Sequence, residues 1–216
     1  MDINFNFLMK TRNNLIKMLK YRNIDVSPYE NFNQEEMRKM LQQSLIGKSF
    51  ISPEMGPLDI IVKNSHGHHT YVKYRLDKIK TARAIETFIE QIYETQLKPQ
   101  DKLILIAPEK INIQGSSFEV MLNNFYNQKG YYVQIISLPQ LLINIVDHCD
   151  VPEHKVITEK EKNELLEKYY IKPENLPVIL RDDAMARYLG LCPGEVIQII
   201  RPSPTSGTYT SYRICV

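Results

Sequence analysis

The chain has no tryptophan, only eight glycines and only three cysteines in 216 residues. Glycine this sparse excludes collagen-like and glycine-rich low-complexity classes. Cys149, Cys192 and Cys215 are too few and too widely spaced for a disulfide framework or a paired zinc pattern, which fits a reducing compartment. No apolar run approaches the roughly 20 residues that span a bilayer, so no membrane partner is expected. The opening MDINFNFLMKTRNN lacks a basic region, a clean apolar core and a cleavage site, so no secretory signal is expected. An excess of one charge is also missing. The 27 basic and 25 acidic residues leave a net +2, which argues against attachment to nucleic acid by bulk charge alone.

What is there suits a folded chain with a sizeable core. Hydrophobic residues make up 43% and charged residues 24%, ordinary for soluble globular proteins, and the length allows one large domain or two modest ones. The first part opens with an amphipathic helix over Asn4–Tyr21, with Leu8, Leu15, Met18 and Leu19 on one side and Lys10, Arg12, Lys17 and Lys20 largely away from it. Asn33 and Glu36 form a capping pattern for a second helix through Leu45. Two strands, Leu58–Lys63 and Thr70–Arg75, flank the polar link Asn64 to His69 and predict a hairpin.

Helix and strand then alternate. Ile85, Phe88, Ile89 and Ile92 mark a helical face, and Leu103–Ala107 is an apolar run typical of a strand covered on both sides. Phe118, Met121, Leu122 and Phe125 mark another helix that Gly130 stops, and Tyr131–Ile136 reads as a strand. The order predicts an α/β fold in which helices cover a central sheet in three layers, with the look of a nuclease core. Val146 to Lys155 reads as a junction. Beyond it, Thr158 with Glu161 forms a capping box for a helix burying Leu165, Leu166 and Tyr169.

A nuclease-like order invites a test for chemistry. Metal-dependent nucleases of that kind need an acid on one strand, then an acid and a lysine two residues apart on the next, so that two carboxylates hold the metal. Asp59 and Lys73 stand in suitable places, but Tyr71 occupies the place of the second carboxylate, and a neutral phenol is a poor ligand for a hard cation. A metal-dependent nuclease is the disfavoured alternative, and no catalytic residue, metal or cofactor is assigned. His66, His68 and His69 read as a solvated hairpin tip. His148-Cys149 with His154 suggests a metal at first sight, although a structural hydrogen bond explains His154 as well. Ser203, Thr205 and Ser206 have no base beside them in a recognised pattern, and turn chemistry accounts for them.

The basic residues cluster instead. Between Lys63 and Arg83 lie Lys73, Arg75, Lys78 and Lys80 against Asp77, a candidate phosphate-facing patch, with Lys10, Lys17 and Lys20 as a second possibility. At the other end, Glu195–Pro202 and Thr208–Val216 flank the turn Ser203-Pro204-Thr205-Ser206-Gly207, a hairpin. Asp182 or Asp183 caps a short helix before it, and Gly190 ends that helix. Arg201, Tyr209, Tyr212 and Arg213 on the paired strands are the residue types that dominate interfaces.

Leu176-Pro177, Ala186 with Tyr188-Leu189-Gly190-Leu191, Gly194 to Val196, Ile199-Ile200-Arg201, Ser203, Thr205-Ser206-Gly207, Tyr209 and Tyr212-Arg213 together resemble a known family. It is the common fifth subunit of the nuclear DNA-dependent RNA polymerases, which is related at its C-terminus to a small archaeal counterpart. Val151-Pro152-x-His154 and Leu165-Leu166-x-x-Tyr169 add to the likeness, which covers about Asp147–Val216. Ala184, Pro204, Thr208 and Cys192-Pro193 depart from the family's usual residues. The resemblance implies a non-catalytic polymerase subunit with an α/β jaw domain over 1–145 and a small α+β assembly domain over 146–216. It implies an assembly domain anchored on the largest subunit through Tyr188, Gly190, Arg201, Ser203, Thr205, Gly207, Tyr209, Tyr212 and Arg213. The jaw would border downstream double-stranded DNA without reading its sequence, through Lys73, Arg75, Lys78 and Lys80. Other polymerase subunits and transcription regulators are further expected partners. A free-standing transcription adaptor is the other alternative. A composition rich in Asn, Ile, Lys and Tyr leaves both a cellular and a large-DNA-virus polymerase open. The expected location is the nucleus in the first case, and the virion or infected cytoplasm in the second.

Overall fold

Two compact units divide the chain, residues 1–143 and 144–216. The computed structural model describes residues 5–46, 50–63, 67–77, 79, 81–113, 115–203, 205 and 207–216.

In the first unit, helix α1 (Phe5–Tyr21) and helix α2 (Gln34–Ile46) precede the sheet. The α2 cap forms as its sequence requires: Asn33 Oδ1 accepts from Glu36 N–H at 2.8 Å, and Glu36 Oε2 accepts from Asn33 N–H at 2.9 Å. Strands β1 (Ile60–Lys63), β2 (His69–Tyr74), β3 (Lys102–Ala107) and β4 (Tyr132–Ser137) lie side by side in that order. β1 runs antiparallel to β2, and the other neighbours are parallel. Parallel neighbours need helical crossovers, here α3 (Ala82–Thr95) and α4 (Ser117–Asn124). Thr81 Oγ1 caps α3 by accepting from Ala84 N–H at 3.4 Å, and Ser116 Oγ caps α4 by accepting from Phe118 N–H at 3.2 Å.

The alternation of side chains along the strands sorts the sheet into two faces. Tyr71, Leu103, Leu105, Val133 and Ile135 share one cluster with Ile85, Phe88, Ile89 and Ile92 of α3 and Met121 and Leu122 of α4. Tyr74 and Gln134 belong to the opposite face. There the Arg12 guanidinium of α1 lies over the Tyr74 ring, and Arg22, just beyond α1, donates to Gln134 Oε1 at 3.0 Å. The result is helix, sheet and helices in three layers, an α/β fold.

The second unit has the strand order β5 (Glu153–Val156), β7 (Val196–Ser203), β8 (Gly207–Cys215), β6 (Val178–Ile179). Helix α5 (Glu159–Tyr169) starts at the capping box, where Thr158 Oγ1 accepts from Glu161 N–H at 3.3 Å and Thr158 N–H donates to Glu161 Oε2 at 2.7 Å. Of the two aspartates before helix α6 (Ala184–Leu189), Asp183 is the cap. Its Oδ1 accepts from Met185 N–H at 2.8 Å and from Ala186 N–H at 3.4 Å. Gly190 ends α6 at φ 68°, the left-handed conformation that lacks a steric cost only for glycine.

Candidate functional site

The pairing of strands around Asp59 decides the fate of the first basic cluster. Leu58 and Asp59, expected in the first strand, instead form a turn before it: Asp59 N–H donates to Gly56 O at 3.1 Å. The Asp59 carboxylate is thereby folded inward. Its Oδ2 accepts from Lys73 Nζ at 2.7 Å, from Gly56 N–H at 2.6 Å and from the Tyr71 hydroxyl at 3.2 Å, while Oδ1 accepts from Tyr74 N–H at 2.8 Å. Lys73 Nζ also donates to the Glu54 carbonyl. Burial raises the Asp59 pKa above the ordinary carboxylate range, against the opposing pull of Lys73 and the backbone donors. Burial and the neighbouring Asp59 also raise the Tyr71 phenol, so it stays neutral and acts as a donor. This is a closed ion pair packed against a phenol.

Two of the expected DNA-facing residues are therefore corrected. Lys73 has 0% of its surface exposed. Arg75 is also buried: its guanidinium lies 4.5 Å from the Phe88 ring centroid and donates to both carboxylate oxygens of Asp77, at 3.0 and 3.2 Å. Lys73 is carried inward by β2 onto the buried Asp59, and Arg75, just past the strand's end, is covered by Phe88 and paired with its neighbour Asp77. Lys78 and Lys80 lie outside the described residues. His66 does too, while His69 is held through its N–H to Asp101 Oδ1 at 2.7 Å.

Helix α1 supplies what that cluster does not. Its exposed residues are Asn6, Lys10, Asn13, Lys17 and Lys20, spaced as one stripe, and the helix holds no acidic residue. At 1.5 Å per residue the stripe is about 21 Å long. Lys20 pairs with Glu30 at 2.9 Å. Arg12, expected on this outer face, instead points inward, donating to Leu58 O at 2.6 Å.

The C-terminal hairpin separates residues that look equivalent in sequence. In the antiparallel register, Arg201 lies opposite Tyr209, Ile199 opposite Ser211 and Ile197 opposite Arg213. Paired residues point to the same side, so Arg201, Tyr209 and Arg213 share one face. Tyr209 is 59% exposed and Arg201 is exposed, whereas Ile197 and Ile199 are buried at the far end of that face. Tyr212, paired with Gln198, belongs to the opposite face and packs against Leu165, Leu176 and Val196. Ser203, Thr205 and Gly207 lie at the hairpin end, with Ser203 Oγ and Thr205 Oγ1 3.4 Å apart. Tyr188 and Gly190, expected to meet a partner, are corrected to buried residues: the Tyr188 hydroxyl donates to Asn144 Oδ1 at 2.6 Å, and Gly190 is the helix cap. His154 is buried with Nδ1 2.7 Å from the Pro152 carbonyl oxygen, a structural contact.

A family model described as "RNA polymerase Rpb5, C-terminal domain" matches residues 143–215, the second unit almost to the residue. A Dictyostelium discoideum protein, DNA-directed RNA polymerases I, II, and III subunit rpabc1, is 30% identical over 211 residues, covering 98% of each chain. The chain belongs to the Rpb5 family of RNA polymerase subunits. Two further Rpb5-family relatives, subunits RPABC1 of Caenorhabditis briggsae and Caenorhabditis elegans, are each 51% identical over 77 residues, or 36% of either chain. Similarity to those two is thus concentrated in a stretch about the length of the second unit.

The geometry also shows which signals the sequence left unread. The stripe on α1 was legible from its spacing, but an inward Arg12 was not. The opposed faces of Tyr209 and Tyr212 follow from their odd and even positions once the hairpin register is known.

Proposed function

We propose that this chain is a non-catalytic subunit of a multisubunit DNA-dependent RNA polymerase. Its second unit serves as the assembly domain that anchors on the largest subunit, and its first unit is the jaw that borders downstream DNA. The observation that carries this reading is similarity along 98% of the chain to a shared polymerase subunit. A subunit without catalysis of its own agrees with the Asp59 site, where a buried phenol stands in place of a second carboxylate and Lys73 closes the pocket.

The anchoring surface is the face of β7 and β8 that carries Arg201, Tyr209 and Arg213, extended by Ser203, Thr205 and Gly207 at the turn. The exposed Tyr209 and Arg201, with the half-buried Arg213 beside them, are residue types that suit a protein interface. The DNA-facing element is the α1 stripe with Lys10 and Lys17. Lysines spaced along a helix meet phosphates without reading bases, so the contact tolerates every sequence. The subunit works wherever its polymerase transcribes, the nucleus for a cellular enzyme or the virion and infected cytoplasm for a viral one. Transcription regulators would meet the jaw.

Affinity purification of the full chain under native conditions tests the assignment. The largest and other polymerase subunits are expected in stoichiometric amounts, and a photo-crosslinker at position 209 is expected to capture the largest subunit. Purification as a solitary protein would overturn it.

A further inference from the structure

Residues 144–151 fold as successive tight turns. Asp147 N–H donates to Asn144 O at 3.1 Å, His148 N–H to Ile145 O at 3.3 Å, and Val151 N–H to His148 O at 3.1 Å. The last turn brings together three different donors from consecutive positions, the His148 imidazole, the Cys149 thiol and the Asp150 carboxylate. One ligand atom from each lies within 4.8 Å of the others, and all three residues are exposed. Among the described residues, no other group of His, Cys, Asp and Glu meets that spacing.

The local hydrogen bonds hold the three donors close together. Asp150 N–H donates to His148 Nδ1 at 3.3 Å, so this ring nitrogen faces the turn. The Cys149 thiol donates to Asp150 Oδ1 at 3.8 Å, and Asp150 Oδ2 lies 3.8 Å from His148 Nδ1. Metal bonds of about 2.0–2.3 Å in a tetrahedral arrangement require donor separations of roughly 3.3–3.8 Å. Exposed side chains on a fixed turn reach that geometry by small rotations. His154, the other histidine nearby in sequence, takes no part, because its ring is buried against Pro152.

We propose that the His148-Cys149-Asp150 turn is a metal site with one nitrogen, one sulfur and one oxygen donor, selective for a zinc-class divalent ion. A thiolate and an imidazole disfavour magnesium and calcium, which prefer all-oxygen shells. Three protein donors leave a fourth position for water. On binding, the Cys149 S–H bond breaks, its proton passes to solvent, and the sulfur electron pair forms the metal bond. The ion takes the place of the Asp150 N–H at His148 Nδ1.

Cobalt(II) titration of the reduced full chain tests this directly. One equivalent is expected to give a near-ultraviolet thiolate-to-cobalt charge-transfer band, with about one proton released per ion, and zinc is expected to displace it. Cys149→Ser should abolish the band, while His148→Ala and Asp150→Asn should weaken binding by about tenfold or more. Cys192→Ser and replacement of His68 and His69 should leave it intact. All these side chains are half-buried or exposed, and circular dichroism checks that each variant is folded. No charge-transfer band at equimolar cobalt, or a band that survives Cys149→Ser, overturns the proposal.

Discussion

Lys73 Nζ lies 2.7 Å from Asp59 Oδ2, and neither side chain reaches solvent appreciably. Removing one partner of such a pair leaves an uncompensated charge in a medium that solvates it poorly. Lys73→Met is expected to destabilise the first unit by about 3–5 kcal/mol, measured by urea denaturation.

The same variant makes a pH prediction. Burial already raises the Asp59 pKa, and loss of Lys73 removes the largest contribution opposing that rise, leaving only the backbone donors. A carboxyl with a raised folded pKa contributes stability that is complete below its unfolded pKa and lost as pH rises through the folded one. The deficit of Lys73→Met should therefore be smaller in acid than at neutral pH. A deficit that grows on acidification would contradict this.

On α1, Lys10→Glu and Lys17→Glu should weaken contact with downstream DNA in assembled enzyme. Each lost phosphate contact should lower the salt slope of binding by about 1. Both residues are exposed, so stability should change by no more than about 0.5 kcal/mol. Crosslinking across a salt series is the measurement.

Tyr209 and Tyr212 should behave in opposite ways. Tyr209→Ala is expected to cost about 2 kcal/mol of association with the largest subunit and little stability. Tyr212→Ala should lower the melting temperature, since its ring packs on Leu165 and Val196. Melting curves and pull-downs on the two variants separate the roles.

At the start of α5, Thr158→Ala should cost about 1 kcal/mol. Hydrogen bonds from the Thr158 N–H and hydroxyl hold the Glu161 pKa below its ordinary value. Its contribution is present above the unfolded pKa and fades as pH falls through the folded one, so the cap weakens in acid. At the other end, Tyr170 holds φ 54° as a non-glycine C-cap. Tyr170→Gly should raise stability by about 0.5–1 kcal/mol, read as a higher melting temperature.

Most helices and the central strands were legible because each carries its own local signal. Apolar spacing marks α1 and α3, reciprocal caps mark α2 and α5, and Leu103–Ala107 is apolar throughout. β5 and β6 were not legible. Glu153–Lys155 fell within the expected junction Val146 to Lys155, and the strand through Val156 forms only by pairing with Ile197–Ile200, while Val178–Ile179 is two residues held by the end of β8. The C-terminal hairpin was legible because turn chemistry marks its link and β-rich runs flank it. The basic cluster was misread at Lys73 and Arg75, because a positive charge in a sequence does not show which distant groups, Asp59 for one and the Phe88 ring for the other, will cover it.

Residue order alone determined the alternation of helix and strand, the capped helix ends and the likeness to a polymerase subunit, since each depends on neighbours within a few positions. Tertiary structure alone decided which cations reach solvent. It turned Lys73 and Arg75 inward onto Asp59 and Asp77, left Lys10 and Lys17 outside, and set Tyr209 and Tyr212 on opposite faces. Burial and strand register arise from contacts between distant segments, and no local pattern carries them.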